Sequence, residues 1–448
     1  VLIRSSIFAL RAVTPLAFLY CATALYALFA PQAIARHALA ALPLWSLAAL
    51  TIFCVNEVWF FFYARRKVGR HQALATAAAK LSPAQRKVEF KRAIESVHDP
   101  RVFLEGWFKG ARLEDIGYDN VLQWILWAFF DAPAEPESLY ALPEDIIAEA
   151  KSYTDAWESR FNVTFQPGFN HKIQSIRLSL DPVLTTHRPA CVYLGVGVLY
   201  DHLAYSRYRS LGFKHYIPSA ESGHRVSYPY IGLPSSPSNS TLTYWYKPCA
   251  PLAPGEKEGL PIVFVHGIGA GLKVYRTMIT DMCARYPRSA IYLLEIPCVA
   301  MKLVEKLPVR AELVRDVVAM LKNHGGHTEA LFAGHSLGTV VVSWILHLAP
   351  QVCRKVMLID PVVWLLHYPD VAYNFLHRPP SNANQWLYNF FVCSEPGIAR
   401  FLGRGFVWHE NVLWFEDVPA HCEMRVYLAE NDMIVNIPKV FEYLTGQD

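Results

Sequence analysis

The sequence Gly-His-Ser-Leu-Gly at residues 334–338 has the residue types and the spacing of a reactive serine turn. A short apolar run stands before it and a run of valines follows it, which predicts a strand, a sharp turn and a helix. Two glycines let such a turn approach its neighbours without a Cβ clash, so the hydroxyl of Ser336 projects above a sheet. A hydroxyl in that position suits nucleophilic attack on an acyl carbon.

A second turn, His-Gly-Ile-Gly at residues 266–269, also directly follows a short apolar run. A turn of this type presents backbone N–H groups at the end of a neighbouring strand. We expect the N–H groups near Gly267 and Ile268, with that of Leu337, to hold the oxyanion of a tetrahedral intermediate, at about 3 kcal/mol per donor. His266 lies on this loop itself and is expected to be a structural hydrogen-bonding residue, not the general base.

The segments around these turns alternate between short apolar runs and amphipathic stretches such as residues 311–321. Strands buried on both faces that alternate with helices are typical of a mainly parallel sheet in a three-layer α/β domain. The first of these runs, residues 241–246, alternates between polar and apolar residues, as a half-exposed strand would. The predicted strands are 241–246, 262–265, 291–294, 331–333, 356–359 and 426–428.

Over residues 241–444 the chain resembles the α/β-hydrolase superfamily, of the serine esterase or lipase type. The matching segments are HGIG at 266–269, GHSLG at 334–338 and VYLAENDMIVN at 426–436. The resemblance implies an α/β-hydrolase fold and a catalytic order of serine, acid and histidine.

The resemblance also implies roles for single residues. Ser336 takes the position of the nucleophile, and Asp432, after a late strand, takes that of the acid. Asp360, which follows an earlier strand, is the alternative acid that some relatives use. No metal or organic cofactor is implied.

The general base is where the sequence departs from this pattern. The fold needs about 20 residues beyond the acid to reach its histidine, whereas sixteen follow Asp432 and none is histidine. We expect the chain to end before the natural protein does, which Val1 in place of Met also favours; an incomplete triad is the alternative. His409 and His421 precede the acid and could act only with an unusual topology. Without an imidazole, Ser336 is a poor nucleophile.

Residues 361–419, between two predicted strands, are rich in aromatic side chains. We expect an aromatic-rich helical cap here, with about a third of the aromatic residues lining an apolar acyl pocket. The full set of cap aromatic residues is Trp364, Tyr368, Tyr373, Phe375, Trp386, Tyr388, Phe390, Phe391, Phe401, Phe406, Trp408 and Trp414.

The N-terminal region is apolar enough to enter a membrane. Between Arg11 and Arg36 lie 24 residues without a charge, which is long enough to span a bilayer. A second apolar stretch over residues 38–63 contains one charged residue, Glu57. We expect Glu57 to lie at headgroup level and to have no functional role. Basic residues at 65–70 follow, so the positive-inside rule predicts a two-span hairpin with both ends in the cytosol.

We expect three regions: a membrane hairpin at 1–70, a helical linker or accessory region at 71–240, and a hydrolase domain at 241–448. Within the second region, the apolar helix at 121–130 is expected to be buried. The Ser-, Pro- and Gly-rich stretch 219–240 marks the boundary before the hydrolase domain.

Composition excludes several other functions. The net charge is only +4 and no long basic run occurs, so nucleic-acid binding is not expected. The nine cysteines form no CxxC pair or zinc-type cluster, and we expect reduced thiols and no metal. Sequons at Asn162 and Asn239 could carry glycans only if the predicted topology were inverted.

These observations predict a membrane-anchored, cytosolic-facing serine hydrolase that cleaves a carboxylic ester, with a lipid acyl ester as the favoured substrate. An acyltransferase that uses the same serine is one alternative. A catalytically inactive membrane scaffold or lipid-binding protein with this fold is the other. The oligomeric state stays open.

Overall fold

An eight-stranded sheet of order β2-β1-β3-β5-β4-β6-β7-β8 organises the C-terminal half of the chain. The computed structural model describes residues 1–29, 43–71, 80–132, 135–219, 236–238, 240–302, 304 and 306–446. The strands are β1 Lys214–Pro218, β2 Ser236–Ser238, β3 Thr243–Lys247, β4 Ile262–Val265, β5 Ile291–Glu295, β6 Ala330–His335, β7 Cys353–Ile359 and β8 Glu423–Tyr427.

Five strands, in the order β5-β4-β6-β7-β8 across the sheet, run parallel. Strand β3 runs antiparallel to both of its neighbours, β5 and β1. Every residue of β4 and β5 is buried, as expected for strands covered on both faces. The predicted mainly parallel sheet is therefore confirmed.

Two sequence expectations about the start of the sheet are wrong. The strand predicted at 241–246 is not half-exposed, because Thr243, Tyr244 and Trp245 are all buried between the neighbouring strands β1 and β5. Strands β1 and β2 also lie upstream of residue 241, so the sheet begins inside the region expected to be a helical linker. Most of the predicted boundary stretch, including Asn239, lies outside the described residues.

Helices cover the sheet and build the rest of the molecule. Their bounds are α1 Leu2–Phe29, α2 Leu44–His71, α3 Pro83–Glu95, α4 Pro100–Trp107, α5 Tyr118–Phe130, α6 Glu144–Phe161, α7 Ala190–Leu194, α8 Tyr200–Ser210, α9 Arg276–Arg285, α10 Arg310–Asn323, α11 Gly338–Leu348, α12 Asp370–Ala372, α13 Ala383–Tyr388, α14 Pro396–Arg404, α15 Trp408–Asn411 and α16 Ile437–Thr445. The segment 361–419 is helical, as predicted for a cap.

The helix α5 is almost entirely buried, which confirms the prediction for residues 121–130. It joins the accessory region to the cap, because the indole N–H of Trp408 donates to the carbonyl of Ala128 at 2.7 Å. The indole of Trp107 donates likewise to the carbonyl of His367 at 2.9 Å. The accessory helices and the cap therefore share one hydrophobic core.

The helices α1 and α2 pack side by side. The hydroxyl groups of Tyr20 and Thr51 are 2.6 Å apart, and the rings of Phe18 and Phe61 meet edge to face at 5.3 Å. Each helix is long and apolar enough to cross a membrane by length and composition. The connection between them, residues 30–42, lies outside the described part of the chain.

The structure corrects the expectation for Glu57. Its side chain is fully buried, and its two carboxylate oxygens accept the backbone N–H groups of Ala190 at 2.8 Å and Cys191 at 3.0 Å. These N–H groups open α7 and have no partner within the helix, so a carboxylate there is favourable. Glu57 thus ties α2 to α7 instead of standing free at headgroup level.

Candidate functional site

The serine turn has the predicted strand, turn and helix on its two sides. Strand β6 ends at His335, α11 begins at Gly338, and Ser336 between them adopts a left-handed φ of 51°. A Cβ at Gly334 would stand 2.6 Å from the carbonyl oxygen of Gly338, and a Cβ at Gly338 would stand 2.3 Å from that of Val265. Only glycines at these two positions let the turn close this tightly against β4.

The 266–269 loop lies directly against the serine. A Cβ at Gly267 would be 3.0 Å from the Cβ of Ser336. The Gly267 N–H, however, donates to the phenol oxygen of Tyr275 at 3.0 Å. Among the described residues, the backbone N–H groups of Ile268 and Leu337 have no hydrogen-bond partner. Of the three predicted oxyanion donors, Ile268 and Leu337 are thus available and Gly267 is already engaged.

His266 has the structural place expected of it. It is fully buried, its Nε2 accepts the N–H of Ile296 at 2.9 Å, and its Nδ1 donates to the carbonyl of Gly267 at 2.6 Å. Burial lowers the pKa of His266 to about 4, so the ring stays neutral. Both ring nitrogens are engaged, and neither is free to accept the serine proton.

Tyr275 is a residue of the site that sequence reasoning missed. Its phenol oxygen lies 2.7 Å from Nδ1 of His335 as well as accepting from Gly267, so it connects the oxyanion loop to the serine turn. Burial raises the pKa of Tyr275 to about 12, which keeps the group a phenol. No sequence signal marked this residue, because it lies outside the motif and acts through contacts made only in the folded chain.

Both predicted acids lie at the same edge of the sheet as Ser336. Asp360 follows β7; its Oδ1 accepts the N–H of Ala429 at 2.7 Å, and its Oδ2 lies 3.6 Å from Nε2 of His335. Burial lowers the pKa of His335, while Asp360 and then Asp432 act to raise it, so both acids are within electrostatic reach of that ring.

Asp432 has the freer carboxylate of the two. Its Oδ1 accepts the N–H groups of Ile434 at 2.6 Å and Val435 at 2.8 Å, which fixes the side chain in its loop. Within the described residues its Oδ2 has no hydrogen-bond partner. This arrangement leaves one oxygen of Asp432 for a histidine, whereas both oxygens of Asp360 already face partners.

Neither candidate histidine hydrogen-bonds to the serine. His421 is exposed, its Nε2 lies 3.2 Å from the carbonyl oxygen of Pro350, and it precedes β8. Ser336 lies at the opposite edge of the sheet, where the parallel strands end. The five-residue strand β8 separates the two edges by about 16 Å. His409 is half-buried beside Trp408, and burial, with the charge of Arg310, lowers its pKa to about 4. In the described part of the chain, no residue hydrogen-bonds to Ser336 Oγ.

An apolar cavity adjoins Ser336; together with the open solvent at its mouth it has about 640 Å³ not occupied by protein atoms. Four of the twelve cap aromatics line it, which agrees with the expected third. Trp107 and Leu178 from the accessory region also line it, a contribution that the sequence did not predict. The lining residues are Trp107, Leu178, Ile268, Ser336, Leu337, Val362, Leu366, Val371, Ala372, Phe375, Leu376, Tyr388, Leu402, Phe406, Trp408 and Ile434.

One cap segment, residues 383–393, separates this cavity from the N-terminal helix. On one side, the guanidinium of Arg4 stands 5.3 Å from the ring centre of Trp386, and that of Arg11 stands 5.5 Å from that of Phe390. On the other side, Tyr388 lines the cavity. The candidate membrane helix and the apolar cavity thus touch opposite faces of the same segment.

No protein-family model matches the chain, and no curated protein matches it in sequence. Solved structures similar to it include a membrane phospholipase A described as a bacterial virulence factor, with 12% identity, a TM-score of 0.35, and coverage of 57% of this chain and 82% of that one. An alpha/beta hydrolase fold protein from Burkholderia ambifaria has 13% identity and a TM-score of 0.31, with coverage of 45% and 81%. The 2-hydroxy-6-oxo-6-phenylhexa-2,4-dienoate hydrolase of Rhodococcus sp. strain RHA1 has 17% identity and a TM-score of 0.31, with coverage of 46% and 82%.

These identities and TM-scores are low, so the fold assignment depends on the sheet and the serine turn themselves. The mainly parallel sheet with β3 antiparallel, the glycine-framed turn after β6 and the loop after β4 are the features expected of the family that the sequence resembles. The chain has the α/β-hydrolase fold.

Proposed function

We propose that the protein is a membrane-anchored serine hydrolase that cleaves a carboxylic ester with a long apolar acyl group. Ser336 Oγ attacks the carbonyl carbon, and the N–H groups of Ile268 and Leu337 donate to the oxyanion that forms. The alcohol leaves, and water then attacks the acyl-serine to release the acid. The observation that carries this proposal is a serine hydroxyl beside two backbone N–H groups and an apolar cavity, where none of these three groups has a hydrogen-bond partner among the described residues.

The proton of Ser336 must pass to a base during the attack, and no described residue occupies that position. Asp432 supports a histidine base in this proposal, because one of its oxygens is fixed by two N–H groups and the other has no hydrogen-bond partner in the described part of the chain. An imidazole held there would take the serine proton and return it to the leaving alcohol.

Exposed apolar residues support the membrane anchor. Besides α1 and α2, the helical stretch that starts at Ala190 exposes Leu194, Leu199 and Leu203 by 42%, 69% and 64%. Glu57 joins that stretch to α2, so these side chains lie beside a candidate span. A bilayer around α1 and α2 would cover them and would bring lipid to the cap segment 383–393.

A fluorophosphonate probe tests the serine mechanism on the full-length natural protein in detergent micelles. We expect stoichiometric labelling that is abolished in Ser336→Ala and unchanged in Ser206→Ala, which alters an exposed serine of α8. Hydrolysis of p-nitrophenyl palmitate should then exceed that of the acetate in kcat/KM, because only the long chain fills the cavity. Preference for acetate would contradict the acyl-chain assignment, although the serine mechanism would stand.

The second candidate is a lipid-binding protein that has lost catalysis. It is favoured because no described histidine hydrogen-bonds to Ser336 Oγ. No labelling of the folded full-length protein would support this candidate and exclude the hydrolase. Membrane attachment is measured separately, by resistance to alkaline carbonate extraction.

A further inference from the structure

A second cavity lies between α1, α2 and the loop that leads into α7. It is partly open to the outside, and together with the open solvent at its mouth it has about 710 Å³ not occupied by protein atoms. Most of its wall is apolar, but a guanidinium, a hydroxyl and an imidazole also line it. The lining residues are Leu10, Arg11, Thr14, Pro15, Phe18, Phe61, Thr186, His187 and Pro189.

Arg11 brings a positive charge without a matching carboxylate. No ion pair joins it to any described acid, and its contact is with the ring of Phe390. The charge of Arg188 acts on that of Arg11, but the carboxylate of Glu395 offsets part of it, and the N–H groups of Arg188 bond to Thr186 and Ser394. The nearest acid along α2, Glu57, has both oxygens engaged by the N–H groups that open α7.

Two further polar groups stand at the same cavity. Nε2 of His187 lies 3.2 Å from the hydroxyl of Thr14. Burial and then Arg188 lower the pKa of His187, so the ring is neutral at pH 7 and can donate through one nitrogen. A ligand with anionic oxygens would therefore meet a guanidinium fork and a neutral N–H or O–H donor.

The position along the helices indicates which ligand fits. Phe18 and Phe61 pack against each other and form the apolar side of the cavity. Arg11 stands two turns of α1 before Phe18, about 10 Å away. If α1 and α2 pair antiparallel as a hairpin, Arg11 lies at the same depth along the helices as Arg65 and Arg66. These two arginines are exposed at the end of the second span. Cations at this level meet lipid phosphates, and aromatic side chains beyond them meet acyl chains.

We propose that this cavity binds one phospholipid molecule, whose phosphodiester is held by Arg11 with help from Thr14 and His187. Its acyl chains lie along Phe18 and Phe61. The site is distinct from the Ser336 cavity, and the cap segment 383–393 contacts both Arg11 and that cavity. This inference depends on the membrane anchoring in the proposed function but not on catalysis.

Native mass spectrometry of the full-length protein, released from detergent after incubation with dioleoylphosphatidylglycerol, tests the site. We expect one retained lipid in the wild type and at least tenfold weaker retention in Arg11→Gln. Arg4→Gln is the matched control, because Arg4 lies on the same helix and contacts an aromatic ring of the same cap segment but does not line the cavity. Diolein, which lacks the phosphate, should not be retained.

Equal retention by Arg11→Gln, or equal binding of diolein, would overturn the proposal. Release of the lipid by millimolar inorganic phosphate would show a general anion site and would also overturn it. Carbonate extraction of the same preparations keeps the two proposals apart. A protein that resists extraction but retains no lipid refutes only the phospholipid site, whereas an extractable protein refutes the anchor.

Discussion

Substituting Gly338 by alanine should destabilise the protein and disable the serine turn. The new Cβ would stand 2.3 Å from the carbonyl oxygen of Val265, 2.8 Å from its carbon and 2.9 Å from the carbonyl oxygen of His266. Carbon atoms pack best at about 3.5 to 4.0 Å, and the atoms in the way belong to backbone that cannot rotate aside. Helix α11 would have to move by about 1 Å from β4, against a fully packed interface.

Overpacking costs about 1 to 3 kcal/mol where side chains can adjust, and more where they cannot. We expect Gly338→Ala to lower the free energy of unfolding by at least about 3 kcal/mol, or Tm by about 3 °C. Tryptophan fluorescence during heating in detergent measures the loss, and fluorophosphonate labelling should slow in parallel. Gly195→Ala is the control, because a Cβ there meets nothing within 4 Å. A Gly338→Ala protein with wild-type Tm and labelling rate would refute this account of the turn.

Three further predictions concern buried polar groups. Tyr275→Phe leaves the N–H of Gly267 without a partner, so Tm should fall by the equivalent of about 1 to 3 kcal/mol and labelling should slow; Tyr286→Phe, at an exposed tyrosine, should change neither. Glu57→Gln can accept only one of the two N–H groups of α7 and should lower Tm, whereas an unchanged Tm would contradict the capping role. Burial lowers the pKa of His367 from its ordinary value of 6.5 to about 3. Between these two pH values the unfolded chain therefore binds more protons than the folded chain. Stability should therefore fall between pH 6.5 and 3, by up to about 1.4 kcal/mol per pH unit, and urea titrations of His367→Gln should show a shallower fall.

The sequence predicted the parts of the fold that short local patterns encode. The turns at 266–269 and 334–338 need glycine where backbones nearly touch, and that need is visible in the residue types alone. The buried strands β4 and β5 were predictable because continuous apolar runs have few other stable places.

Contacts between residues far apart in the chain could not be predicted in this way. Strand β1 reads Lys-His-Tyr-Ile-Pro, without the apolar pattern of a central strand, and it is identified by its pairing with β2 and β3. The link from Glu57 to Ala190 crosses more than a hundred residues, and the bond that engages the Gly267 N–H comes from a tyrosine outside either motif. Local sequence patterns therefore located the serine turn and the neighbouring loop, but they could not show that the Gly267 N–H is engaged by Tyr275.

At position 336, the residue that would give the more stable backbone is not the residue that carries the hydroxyl. A residue with a Cβ in the left-handed region costs about 1 to 2 kcal/mol relative to a relaxed backbone, and glycine would avoid that cost. A serine-to-glycine change there should make the protein more heat-resistant while removing its hydroxyl. The serine at this position therefore costs the fold stability that a glycine would restore.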